Sequence, residues 1–343
     1  MGISDETENE RKCAWFTPHH IVLIAMWLIT TVSLLFMLNK GVRNNFQFYP
    51  ERNMLHAGYT VVLLWYLTRT GPIIKQLPEV SPSSLPKWRF GKQIPVVIMA
   101  LLLVSEIYGQ GIVLPLLMLA TLVVLIAWWR EIDLSQVLIG FVLTIVAFLG
   151  GLPMWQNHLV ERTAFFGLLI FTTPMFVAGG LLYKRTGLGG SQLYFKQYRK
   201  VAWSFLWGCL LFVPYGLLNA AGGSPGPWIT WVTNWWQPFT LTFFSPITEE
   251  AWFRLFMVSL CYFALRPAFN KAPALAIVFS TLFSAIVFGL GHSGDLMHRF
   301  LNIGLLYGFP MAILYVRRDW EHAVGAHYMI DFIPWVMVFL ESV

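Results

Sequence analysis

Residues 238–265 read PFTLTFFSPITEEAWFRLFMVSLCYFAL. The stretch is long and apolar enough to cross about 30 Å of hydrocarbon as a helix, yet it carries Glu249, Glu250 and Arg254 near its middle. A charge at the bilayer centre costs about 2.5–3.5 kcal/mol on insertion scales. Three such charges must therefore face protein or a wet cavity rather than lipid. Glu250 and Arg254 are spaced i, i+4 with the acid on the N-terminal side, the favoured order for a helical ion pair. If they pair, Glu249 stands about 100° round the helix and is available for another purpose. Pro246 removes a backbone hydrogen bond three residues earlier and is expected to kink the helix there. A kinked, charged, mid-membrane helix reads as a functional site. The plainer reading, a structural buried ion pair, explains two of the charges and not the third.

The rest of the chain supplies the membrane context. Its 343 residues are 57% hydrophobic and only 12% charged, against about 25% charged in an ordinary globular domain. Mean hydropathy is +0.62. These values exclude a soluble enzyme, a disordered chain and a nucleic-acid binder, and the net charge of +6 reads as basic membrane loops. Eleven apolar segments are candidate spans: 21–38, 54–68, 94–108, 112–129, 134–153, 163–183, 201–219, 239–265, 274–291, 300–316 and 323–340. The expected fold is therefore all-α, a polytopic transmembrane helical bundle of about eleven spans. With the N-terminus inside, seventeen Lys and Arg residues fall in inner segments and five in outer ones, which supports N-in and C-out by the positive-inside rule. The run Ile21 to Leu38 exceeds a signal-peptide core and lacks a clear cleavage site, so it reads as an uncleaved first span. Cys13, Cys209 and Cys261 form no CxxC pair, and neither a disulfide framework nor a thiolate metal site is implied.

Two inner loops organise the chain. Residues 69–93 are rich in proline and basic residues. Residues 184–200, KRTGLGGSQLYFKQYRK, divide an N-terminal six-span region, 1–200, from a C-terminal five-span region, 201–343. The outer loop 220–237 holds four tryptophans and reads as an interfacial aromatic belt. Glu106, beside Tyr108 and Gly109 at a span end, reads as interfacial.

Two histidines in the C-terminal region have polar company. His292 closes the ninth span in Phe288-Gly-Leu-Gly-His292 and is followed by Ser293, Gly294 and Asp295. His327 and Asp331 open the eleventh span on one helical face at i, i+4. A lone membrane histidine is most often a satisfied core residue, but Glu249 and Glu250 in the same five-span region weaken that reading here. Histidines 19, 20, 56, 158, 298 and 322 sit in loops or at span ends and take the plain reading.

The order EExxxR, then FxxxH about 40 residues later, then HxxxD 35 residues further on resembles the CPBP family, the CAAX proteases and bacteriocin-processing enzymes also called the Abi family. The matching residues are Glu249-Glu250-Ala-Trp-Phe-Arg254, Phe288 to His292, and His327 to Asp331. Gly304 through Gly308 to Tyr315 is similar to the small-residue helix that the family places between its last two motifs. The resemblance covers about residues 200–343 and leaves the first six spans unexplained. It implies an intramembrane glutamate-type endopeptidase without cofactor or metal, acting on a membrane-associated protein or peptide, with no nucleic-acid partner. The implied location is multi-pass in the plasma or inner membrane of a prokaryote.

Peptide hydrolysis needs a base for water and donors for the oxyanion. Glu249 with His292 would hold the attacking water, and His327 would donate to the oxyanion. The family often has Asn where this chain has Asp331, and an ionised Asp would repel an oxyanion. It must then be protonated there, or else orient His327. In the expected topology His292 falls near the outer end of its span and His327 near the inner end of another. They meet only if helices are broken or tilted, and GLGHSG around His292 is Gly-rich enough for an unwound segment lining a cavity. Three other readings stay open: a zinc-dependent metalloprotease, although no HExxH occurs; a non-enzymatic scaffold or immunity protein with the same fold; and a transporter with a proton-coupled glutamate, although the halves show no repeat.

Overall fold

The computed structural model describes residues 17–39, 50–70, 94–109, 111–156, 162–222 and 232–342. The polar N-terminal residues with Cys13, most of the loop 69–93, His158, and Trp228 and Trp231 of the aromatic loop lie outside them. Among the described residues there is helix and no strand.

The helices are α1 Pro18–Asn39, α2 Pro50–Arg69, α3 Ile94–Ile107, α4 Val113–Ala127, α5 Leu134–Gln156, α6 Arg162–Thr186 and α7 Tyr198–Gly222. The charged segment follows in pieces: α8 Gln237–Leu241, α9 Phe244–Glu249, a π-helix π1 Glu250–Val258, and α10 Ser259–Leu265. Then come α11 Pro273–Leu290, a second π-helix π2 His298–Gly308, α12 Phe309–Arg317 and α13 Trp320–Ser342. Each apolar segment expected to span is thus helical. Among the described residues, six helical stretches are long and apolar enough to cross a membrane: Pro18–Leu38, Leu134–Pro153, Tyr198–Ala221, Pro273–Leu290, His298–Arg317 and Trp320–Ser342. Large apolar side chains cover the outside, with Val32 62%, Leu101 64% and Ile126 72% exposed. In water such a surface would be a liability; against lipid tails it costs nothing. The chain is an integral membrane protein.

One buried core joins the two parts of the chain. Trp252, Phe253 and Phe256 of π1 and Phe288 of α11 share it with Leu23 of α1, Tyr59 and Leu63 of α2, Met175 and Leu181 of α6, and Phe212 and Tyr215 of α7. Helix α2 is fixed firmly to this core. The Tyr59 hydroxyl donates to the Leu211 carbonyl at 2.6 Å, and Thr60 and Tyr215 exchange a hydrogen bond at 2.8 Å. Arg317 donates to the Leu67 and Thr68 carbonyls at 2.5 and 3.0 Å, which satisfies two carbonyls that the last turn of α2 leaves open.

Two close backbone approaches place the motif helices. Where α7 meets α13, a methyl group at Gly208 would strike the His322 carbonyl, and one at Gly325 would strike the Phe205 carbonyl. Where α11 meets π2, a methyl at Gly289 would strike Arg299 and Gly304 backbone atoms. Small residues at helix contacts of this kind are the usual device in membranes, where no hydrophobic force drives helices together. The start of α13 is held as well. Glu321 accepts from the Ser191 hydroxyl at 2.5 Å and from the Gln192 and Leu193 amides at 3.1 Å each. His327 lies just under two turns further on.

One local expectation changes and another gains detail. The break in the charged segment falls at Thr242 and Phe243, before Pro246, because Pro246 sits in the first turn of α9, where its missing N–H costs nothing. Glu106, at the last turn of α3, is also buried against protein at 8% exposure. Its carboxylate accepts from the Val113 amide at 2.8 Å, at the start of α4, where open N–H groups and the helix dipole favour an anion.

Candidate active site

The charged residues of 238–265 lie where the helix changes pitch. Glu249 ends α9, and Glu250 to Val258 form π1. Such wide turns are rare and occur frequently at functional sites. Every residue of π1 is buried, and the side chains of Glu250 and Arg254 are fully inaccessible. The expected pair is present: Arg254 Nε lies 3.2 Å from Glu250 Oε2. Arg254 also reaches the Gly308 carbonyl at 3.4 Å, and its guanidinium stacks 4.2 Å from the Phe288 ring centroid. One arginine therefore touches π1, π2 and α11. The Ser284 hydroxyl donates to the Phe253 carbonyl at 2.6 Å, a second tie between α11 and π1.

Glu250 has another partner. Its Oε1 lies 2.7 Å from His327 Nδ1. A carboxylate accepts, so Nδ1 carries the proton. The other ring nitrogen, Nε2, stands 3.5 Å from Asp331 Oδ2 and 3.8 Å from Glu249 Oε2. Three carboxylates thus surround one imidazole, and Arg254 backs the deepest of them. Glu249 Oε2 is buried without a hydrogen-bond partner.

His292 stands in the segment that unwinds after α11. Helix α11 ends at Leu290, residues 291–294 turn, and Gly294 takes φ +116°, a conformation that glycine adopts without strain. His292 Nδ1 lies 2.7 Å from the Phe288 carbonyl. A carbonyl only accepts, so Nδ1 donates and a neutral ring presents Nε2 as a lone pair. The Phe288 ring packs edge-on against both histidines, 4.6 Å from His292 and 5.8 Å from His327.

A cavity of about 640 Å³ lies beside the cluster; Glu249, Glu250 and Arg254 are not among its lining residues. His292, His327 and Asp331 line it together, which removes the difficulty that their span positions posed: the unwound segment and the tight α7–α13 contact bring them to one space. Arg52 and His56 of α2, Asn219 of α7, and His298 and Asn302 of π2 line it too. The plain reading of His56 and His298 did not find these residues. The signal in α2 is the i, i+4 spacing of Arg52 and His56, hidden because Arg52 precedes the apolar segment 54–68. Among the described residues no group of three His, Cys, Asp or Glu could hold a metal ion. Of the remaining histidines, His322 pairs with Asp319 at 2.7 Å, and His20 bonds Thr17 at 2.7 Å.

Residues 231–333 match the family model described as Type II CAAX prenyl endopeptidase Rce1-like. The match covers the three motifs from Glu249 to Asp331 and agrees with the resemblance drawn from them. No curated protein and no solved structure matches the chain.

Proposed function

We propose that this chain is an intramembrane endopeptidase of the glutamate type, with region 201–343 carrying the chemistry. The observation that carries the reading is the cluster of buried Glu250 and His327 with half-buried Glu249 and Asp331, beside a cavity that His292, His327 and Asp331 line, within the stretch that matches the endopeptidase model. In this reading a water sits between Glu249 and the Nε2 lone pair of His292. Glu249 takes a proton from it as the oxygen attacks the peptide carbonyl. His327, as the imidazolium with its Nδ1–H on Glu250, donates from Nε2–H to the oxyanion, and Asp331 in its protonated form is a second donor. Glu249 then passes the proton to the leaving amide nitrogen. Glu250 and Arg254 fix the ring of His327 and stay clear of the reacting atoms. The substrate is a membrane-associated peptide or protein.

The topology proposal is about eleven spans with the N-terminus in the cytoplasm of a prokaryote. Cavity residues Arg52 and His56 lie at the opposite end of α2 from Leu67 and Thr68, which Arg317 holds. On this topology the cavity opens away from the cytoplasm.

The deciding experiment incubates the purified protein in proteoliposomes with a diverse peptide mixture and reads new termini by mass spectrometry, with and without a zinc chelator. Cleavage that survives chelation supports the glutamate reading. Cleavage lost on chelation and restored by zinc would move the assignment to a metalloprotease. No cleavage of any peptide, with solute flux instead, would favour a transporter.

A further inference from the structure

Helix α7 begins with positive charge that the chain does not balance. Lys196, Arg199 and Lys200 are exposed, and among the described residues no side-chain hydrogen bond or ion pair engages Arg199 or Lys200. The carboxylates of the neighbouring segments are occupied elsewhere. Glu131 pairs with Arg185 at 2.5 Å, Asp133 accepts from the Ser135 amide at 2.8 Å, and Asp319 and Glu321 are buried. Cations are disfavoured at this end of a helix, where the dipole is positive, and the first turn of α7 holds no acid to offset them. The positive-inside rule accounts for the side of the membrane on which such residues lie, but not for their place on a helix start.

Below the charge runs an apolar stripe. Arg199, Trp203, Leu206 and Leu210 recur at i, i+4, i+7 and i+11 and so share one face of α7, over about 16 Å of its axis. Trp203 is 55% exposed, and Trp207 beside it 53%. The opposite face, at Gly208, is the one pressed against α13, so the stripe faces lipid. At its deep end Trp27 of α1 donates from Nε1 to the Leu210 carbonyl at 2.8 Å. Cations, then indoles, then aliphatic side chains repeat the depth order of an anionic phospholipid: phosphate, ester groups, acyl chain. We infer that the start of α7 is a binding site for an anionic phospholipid, with Arg199 and Lys200 on the headgroup, Trp203 and Trp207 at the ester groups, and Leu206 and Leu210 along the chain. The bound lipid supports α7 on the side away from α13, the helix that carries His327. The inference does not depend on the peptidase reading.

The test titrates the full chain in neutral detergent with phosphatidylglycerol or phosphatidylcholine of the same acyl chains and counts bound lipid by native mass spectrometry. Phosphatidylglycerol should bind about 10-fold tighter for its first molecule, the size of one to two cation contacts near a membrane surface. That ratio should fall to about two or less in Arg199→Gln combined with Lys200→Gln, while Arg199→Lys, which keeps the charge, should retain most of it. Lys271→Gln, which removes an exposed cation from another loop, should leave the ratio unchanged. Trp203→Ala with Trp207→Ala should weaken both lipids. Glycerol 3-phosphate, which has the phosphate without the chains, should not displace the lipid at equal concentration. Equal affinity for the two lipids, or no binding of either, overturns the inference. So does a ratio that the double variant leaves unchanged, or that Lys271→Gln lowers as far. Displacement by glycerol 3-phosphate would make this a site for free phosphate and overturns the lipid assignment. If the double variant fails to fold, Arg199→Gln and Lys200→Gln taken singly decide it, each expected to lower the ratio about 3-fold.

Discussion

His327 Nδ1 lies 2.7 Å from Glu250 Oε1, while the other oxygen of the same carboxylate faces Arg254 Nε at 3.2 Å. Glu250 is therefore the middle of a chain, Arg254–Glu250–His327, that runs from the buried junction of π1, π2 and α11 to the cavity. The sequence places Glu250 and Arg254 together at i, i+4. It does not place His327, 77 positions away, on the other side of the carboxylate. The consequence is a division of labour. Glu250 is fully buried and engaged on both sides. Glu249 Oε2 makes no hydrogen bond, and of the acids in the cluster it is Asp331 that lines the cavity.

Glu249→Gln should abolish peptide cleavage while leaving the protein folded. The amide keeps shape and hydrogen-bonding capacity but cannot take a proton from water. A loss of about 10²-fold or more is expected from removing a general base, with an unchanged melting temperature in detergent. Cleavage at the rate of the unmodified protein would refute the glutamate mechanism.

Arg254→Ala should damage stability as well as activity. It strands Glu250, whose side chain is inaccessible, and breaking one partner of a buried pair costs about 3–5 kcal/mol. It also removes the stack on Phe288 and the contact with Gly308. Arg254→Lys retains the charge without the planar fork and should fall between the two. Thermal unfolding read beside turnover checks this, and an Ala variant as stable as the parent would mean that the pair contributes nothing.

Asp331→Asn tests the oxyanion role. Asp331 Oδ2 stands 3.5 Å from His327 Nε2, too far for a good hydrogen bond, so its orienting hold on the ring is weak compared with that of Glu250. Only protonated Asp331 can donate, and ionisation on raising pH would remove the donor. An Asn amide donates at any pH. The variant should keep its activity near neutral pH and lose the alkaline decline that Asp331 ionisation causes. A pH–rate profile decides it: a drop of about 10-fold or more across the whole range, as for partners that orient a catalytic group, would assign Asp331 to positioning His327.

Met297→Cys reports the side on which the cavity opens. Met297 lines the cavity and is 64% exposed, the native Cys209 and Cys261 are buried, and Cys13 is changed to Ser in the labelled protein. With an N-in topology, a membrane-impermeant maleimide should label Met297→Cys in intact cells. Labelling only after the membrane is opened would invert the topology.

Much of this protein is written in one dimension. The cost of a backbone polar group in hydrocarbon forces helix, so the apolar segments alone located the helical stretches, and α1, α5, α7, α11 and α13 follow their hydropathy closely. The cost of a mid-membrane charge singled out Glu249, Glu250 and Arg254, and the i, i+4 rule paired the last two and placed His327 beside Asp331. These inferences use energies that depend on one helix and its solvent. The break before Pro246 moved because a proline in a first turn has no lost hydrogen bond to register, and that depends on where a helix begins, which hydropathy does not resolve. Glu106 carried a charge but no visible partner, since the Val113 amide that it accepts from belongs to the next helix.

The site itself came from tertiary packing. His292 and His327 share a cavity because Gly208 and Gly325 let α7 and α13 approach backbone to backbone, while the chain unwinds after Leu290. No local property of either motif contains that distance. Arg52 and His56 join them because the hydrogen bonds of Tyr59, Thr60 and Arg317 lock α2 onto helices far along the chain. A histidine in a half-polar helix looks the same in sequence whether it faces lipid headgroups or a cavity. Which of these it meets is decided only when long-range contacts choose the neighbours of its helix, and in a membrane those contacts depend on shape fit and hydrogen bonds rather than on hydropathy.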